Sequence, residues 1–170
     1  MIQLAGTALV GILEEALDRH GKSPQAALQI LMSVQRALHH VPDEAVDYLS
    51  RSLSLPPVRL RGLVSFYSFL SRTPQGEYVV HLSDNITDQM RGSRKLGDAL
   101  CERLDVRLGE TRGDLRTSVH RTSCIGMADQ GPAALVNYRP VTRLDDQRVG
   151  LIADLINARV RLEEWPSEFF

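Results

Sequence analysis

Thr73-Pro74-Gln75-Gly76 divides this sequence into two stretches that obey different periodicities. Pro and Gly so close together mark a turn. Before it, apolar residues recur at i, i+3 and i+4, the spacing of one helix face. Leu9, Ile12, Leu13, Ala16 and Leu17 form such a stripe, which Gly21 ends. Ser23-Pro24 supplies an N-cap and a first-turn Pro for a second helix reaching about His39. Pro42-Asp43-Glu44 opens a third, its acids complementing the positive helix end, and Pro56-Pro57 opens a fourth. This half is expected to be a small helical bundle, residues 1–72.

After the turn the pattern changes. Residues 77–83, EYVVHLS, have strand composition, as do 116–123 and 133–138. A helix is expected from about Gln89 to Leu104, and Asp145 caps a last helix carrying Val149, Ile152 and Ile156. The order β-α-β-β-α over residues 73–160 is a compact layered arrangement, so the fold class is α+β. The tail 161–170 holds the only Trp and two of the four Phe, where solvated polar residues are usual. It is read as a connector, with Trp165, Phe169 and Phe170 forming a partner interface.

Net charge is −1 and no basic stretch stands out, which disfavours nucleic acid and anionic membranes as partners. No apolar run approaches the length of a membrane span. Two Cys with no close pairing do not make a disulfide framework, and a reducing cytoplasm is the expected compartment. Neither a dinucleotide fingerprint nor a phosphate loop is present. Arg91-Gly92-Ser93 is read as an ordinary helix entry. His39 and His40 stand at a helix end, where the dipole favours them. His81 and His120 fall on adjacent expected strands but lack further ligands at zinc spacing. His120 stands four residues before Cys124, a weak sign of an activated thiol. Cys101 beside Leu100 reads as a small buried apolar residue.

Five short signals then converge: Pro42-Asp43-Glu44-Ala45, Ser65-Phe66-Tyr67, Pro74-Gln75-Gly76-Glu77-Tyr78, Cys124-Ile125-Gly126, and Pro132 to Val136. In this order and spacing, over about residues 25 to 157, the chain resembles the thioredoxin-like ferredoxin subunit of the NADH-oxidising module of respiratory complex I. Relatives of that subunit occur in NAD-linked hydrogenases and formate dehydrogenases. The resemblance implies a thioredoxin-like domain after the bundle and a [2Fe-2S] cluster held by C-x4-C after the first strand and C-x3-C after the second. Laid on this chain, those positions are Ser83, Asp88, Cys124 and Ala128. Such clusters are held by four thiolates, and only Cys124 supplies one. Ser83 and Asp88 are expected to help cap the helix near Gln89, with Asp88 as N-cap.

The pattern of residues 124–136 and Asn85-Ile86-Thr87-Asp88 resembles the amino-terminal domain of the diaphorase flavoprotein subunit of bidirectional NAD-reducing hydrogenases. That resemblance implies partners: a module binding FMN, NAD and iron–sulfur clusters, in cis or as a subunit, and a small ferredoxin-like diaphorase subunit. For this chain the expectation is a cofactor-free, non-catalytic docking domain.

Overall fold

A computed structural model describes residues 2–169, with side chains from Thr7 onward. Two compact units are present, Met1–Pro74 and Gln75–Phe170. In the first, α1 (Ile2–His20) stops at Gly21, whose N–H bonds the Leu17 carbonyl at 2.8 Å. Ser23 is extended as expected, but its side chain makes no capping bond. Pro24 instead begins a 3-10 turn, Pro24–Ala26, that leads into α2 (Ala27–Leu38). Pro24 is better suited to this tight entry because its missing N–H leaves fewer donors for a cap to satisfy. His39 ends α2 in the left-handed region, and His40 Nδ1 lies 2.9 Å from the Leu38 carbonyl. α3 (Asp43–Leu53) carries Asp43 and Glu44 in its first turn, and α4 (Pro57–Phe66) starts on Pro.

The core of this unit joins Leu13 and Leu17 of α1, Ile30, Leu31 and Val34 of α2, Val46 and Leu49 of α3, and Leu60 of α4. Polar contacts tie its elements together as well. The Tyr48 hydroxyl donates to Glu14, which also accepts from Lys22 Nζ at 3.1 Å, and both bonds hold the Glu14 carboxyl below its usual range. Gln35, buried on α2, accepts from the Ser71 N–H at 2.9 Å.

The second unit is built on a four-stranded sheet in the order β2-β1-β3-β4. β1 (Tyr78–Ser83) and β2 (Thr117–Thr122) are parallel, from Tyr78↔Thr117 to Ser83↔Thr122. β3 (Ala134–Val136) and β4 (Arg139–Val141) form an antiparallel hairpin whose first strand pairs with β1. The single strand expected over 133–138 thus breaks after Val136. Asn137 and Tyr138 both have positive φ, 45° and 70°, as a two-residue type I′ turn requires. Asn137 pins that turn to β1: its Oδ1 accepts from Val79 N at 2.7 Å and its Nδ2 donates to Glu77 O at 2.9 Å. Pro140, which has no N–H, sits on the edge strand where none is needed.

The helix expected from Gln89 to Leu104 is two helices, α5 (Ile86–Met90) and α6 (Ser93–Leu104). Gly92 separates them at φ +86°, a conformation that other side chains resist. α7 (Asp146–Asn157) begins as expected, with Asp145 accepting from Arg148 N at 2.7 Å. Alternation along β1 sends Tyr78, Val80 and Leu82 into one core with Leu100 and Leu104 of α6 and Ile152 and Ile156 of α7. Among the described residues no helix is long and apolar enough to cross a membrane.

The tail departs from its expected role. Trp165 and Phe169, read as partner-facing, are 4% and 2% exposed within the core of their own unit. The Trp165 ring lies 6.3 Å from Tyr78 and 6.0 Å from Phe169. Its Nε1–H donates to the Val160 carbonyl at 2.9 Å, so the indole has both an apolar slot and a polar partner. Phe170 lies outside the described residues. Replacing Trp165 by Ala is expected to destabilise this unit by about 3 kcal/mol or more, the usual loss for a buried aromatic. Urea unfolding followed by circular dichroism measures it, and an unmoved midpoint would return the ring to a docking role.

Candidate functional site

β1 and β2 run parallel, so their carboxyl ends and the loops leaving them lie side by side. The Asp84 N–H extends the pairing by bonding Thr122 O at 2.8 Å. Ser83 is the last residue of β1 and Asp88 lies on the short helix of the first loop; Cys124 and Ala128 belong to the second loop. All four sequence-derived positions therefore gather at one end of the sheet.

Asn85, which is not among those four, organises the first loop. Its Oδ1 accepts from Asp88 N at 2.9 Å, which makes Asn85 the N-cap of α5. Its Nδ2 donates to Asp88 Oδ2 at 2.7 Å and to Ser83 Oγ at 2.9 Å. Asp88 is thus the third helical residue, not the cap. Asn85 and Asp88 make a reciprocal box in which the cap and the acid three residues later serve each other. The N-x-x-D spacing in the sequence was the signal for it.

Asp88 is fully buried and reaches the second loop. A Cβ placed on Gly131 would collide with Asp88 Oδ1, so the carboxylate fills the space that any other residue at 131 would need. Gly131 is required here for volume, and its φ of −74° is unremarkable. From the end of α5, Arg91 crosses to the same loop, donating through Nη1 to Ala128 O at 3.2 Å and to Gly131 O at 3.1 Å.

Cys124 is exposed, and its Sγ accepts from Gly126 N at 3.3 Å. Ala128 begins a 3-10 turn, Ala128–Gln130, and offers only backbone. His120 does not serve Cys124 in this arrangement; its Nε2 lies 3.1 Å from Gln75 Nε2. Cys101 packs on α6 in the core, where burial pushes its thiol up, far in sequence from the loop. Among the described residues no group of three or more His, Cys, Asp or Glu is placed to hold a metal ion.

These donors do not fit a [2Fe-2S] cluster. Four thiolates carry the charge of its irons, and here one thiol stands with a hydroxyl bonded to Asn85 and a carboxylate whose Oδ2 accepts from Asn85 while its Oδ1, buried, has no partner. At the fourth position a methyl group cannot ligate. What the arrangement does instead is join two loops through a buried polar knot.

On the same sheet His81 and His120 stand in register, with ring centroids 5.6 Å apart. Burial, and then the neighbouring His120, press the His81 pKa down from 6.5 to about 4. Burial lowers His120 as well.

A family model described as thioredoxin-like [2Fe-2S] ferredoxin matches residues 13–157. The NAD-reducing hydrogenase HoxS subunit alpha of Cupriavidus necator is 32% identical over 152 residues, which is 89% of this chain and 25% of that one. An NADH-quinone oxidoreductase subunit of Escherichia coli is 30% identical over 119 residues, 69% of this chain and 72% of its own. Among solved structures, an NAD+-reducing [NiFe]-hydrogenase in the H2-reduced state superposes with a TM-score of 0.74 at 34% identity, covering 85% of this chain and 25% of that one. The chain therefore spans about a quarter of the hydrogenase subunit and of the matched hydrogenase chain.

Two outcomes are expected from this geometry. Gly131→Ala loses about 2 kcal/mol through overpacking. Asp88→Ala makes that change far less harmful, so a double-mutant cycle by denaturant unfolding gives a coupling well above the additive limit. For His81, the neutral ring is favoured in the fold, so its contribution is complete above the unfolded pKa of about 6.5. It is lost as pH falls from 6.5 towards 4, by on the order of 3 kcal/mol. His81→Gln should flatten that limb of the stability–pH curve; an unchanged limb would place its origin elsewhere.

Proposed function

Because the chain belongs to the thioredoxin-like [2Fe-2S] ferredoxin family, we propose that it keeps the family's fold as a docking domain and has given up the cluster. In this reading it is a non-catalytic, cytoplasmic part of an assembly in which NAD(H) is oxidised or reduced at a flavin. The observation that carries the proposal is Asp88. At the position of the family's second thiolate stands a carboxylate that is fully buried, bonded to Asn85 and pressed against Gly131. Releasing it to meet iron would break its bond from Asn85 Nδ2 and leave a hole under the second loop.

Two relatives suggest the setting. One carries NAD-reducing hydrogenase in its name and the other NADH-quinone oxidoreductase, and the chain aligns with only a quarter of the first. The partners that fit are a module binding FMN, NAD and iron–sulfur clusters, joined in cis or as a subunit, and a small ferredoxin-like diaphorase subunit. No electron step is assigned to this chain. Its residues supply contact surface, including Ile86 and Met90, strongly exposed on the α5 helix that holds Asp88.

The test is iron and acid-labile sulfide, with a visible spectrum, on protein purified without oxygen and again after chemical reconstitution. Folded, colourless, iron-free protein in both states is the expected result. About two irons per chain with thiolate-to-iron absorption would overturn the proposal. It would favour an electron-transfer role with an atypical centre.

A further inference from the structure

Between Asp47 and Glu77 the chain has no acidic residue and four arginines, Arg51, Arg59, Arg61 and Arg72. Arg61 and Arg72 are balanced by acids of α3: Arg72 bonds both oxygens of Asp43 at 3.0 Å, and Arg61 lies 3.4 Å from Asp43 and 3.5 Å from Asp47. No described carboxylate pairs with Arg59. The middle of this acid-free stretch is α4, whose inward face buries Leu60 and Val64.

Its outward face is unusual. Val58 and Phe66 are 75% and 79% exposed, among the most exposed large apolar side chains described. Eight residues apart, they lie on one side of the helix, about 12 Å from each other along its axis. Midway between them on the same row stands Gly62, with nothing within 4 Å of where a Cβ would be. Phe66 is propped edge-on against Tyr67, ring centroids 5.1 Å apart, so the aromatic wall of the notch has a support. Two apolar posts four residues either side of a missing side chain form a groove of the i±4 kind, which accepts a ridge from another helix. A Gly in a helix interior lowers helix stability, so this one sits at a position where an Ala would serve α4 better.

We propose that this face of α4 is a docking surface for an amphipathic helix of a partner protein, one whose apolar ridge is bordered by Asp and Glu. The inference rests on the reading of the chain as a docking domain and locates one of its contacts. The ridge enters at Gly62 between Val58 and Phe66, and the acidic border meets Arg59, which no described carboxylate neutralises. Positive charge on the rim of an apolar notch selects acidic over basic partners and speeds their encounter. The nearly neutral chain as a whole offers no such selection.

The experiment uses the 170-residue chain. Labelled with nitrogen-15, it is titrated with two synthetic helix-forming peptides of identical apolar stripe, one flanked by Glu and one by Lys. The expected result is a set of amide shifts centred on Val58 to Tyr67 with the Glu peptide alone, weakening as ionic strength rises. Gly62→Gln and Arg59→Glu should each weaken binding about tenfold or more. Gly62→Gln should not lower the thermal midpoint, because its side chain enters open space and removes a helix Gly, so lost binding cannot be ascribed to lost fold.

Equal binding of the Lys peptide, no binding of the Glu peptide, or shifts centred elsewhere would overturn the proposal. So would self-association in sedimentation, or capture by phosphatidylglycerol vesicles, that Gly62→Gln abolishes. Peptide binding does not depend on iron content, so failure here leaves the cluster-less reading standing. Iron found in the chain would likewise leave this surface to be judged on its own titration.

Discussion

The parallel pairing of β1 with β2 is the constraint on which the second unit depends. Parallel neighbours cannot be joined by a hairpin, so the chain must cross over one face of the sheet, and α6 makes that crossing. The same pairing sets the two outgoing loops next to each other at the carboxyl end. Asn85, Asp88, Gly131 and Arg91 hold those loops together with one short helix, one interloop packing contact and two bonds to carbonyls.

This knot follows from the chemistry of a buried position. Such a position must be filled, or it becomes a cavity. It must also remain hydrogen-bonded, or each orphaned polar group becomes a penalty. Asp88 meets the first need by volume and, through Asn85, part of the second. Ser83 is small, closes the end of β1 and accepts a bond from the same Asn85 amide. The outcome is a local polar core. It resembles a helix N-terminus more than a ligand shell.

Much of this was legible before the structure. The turn at Thr73 to Gly76 separates two periodicities, and the two units divide at Pro74 and Gln75. Tyr78, Val80 and Leu82 alternate as a strand must when one side faces a core. Other features lay beyond local pattern. The break between α5 and α6 depends on Gly92 adopting a left-handed conformation, which a lone Gly in a polar run does not announce. The hairpin at Asn137 rests on a side chain that reaches far back along the chain to β1 and the residue before it. The tail misled because a Trp near a terminus says only that burial is wanted. That Tyr78 and Phe169 provide it is a fact of tertiary packing. At the site, the resemblance singled out four positions, whereas the residue that organises the first loop is Asn85, which is none of them.

The interlock of Asp88 with Gly131 also limits substitution. A carboxylate in this pose cannot coexist with a side chain at 131, so aspartate at 88 tolerates only glycine there. A thiol at 88 alone would be smaller than the carboxylate and would lose the bond to Asn85. The pair works as a ratchet: with both residues in place, a change at either position alone costs the fold.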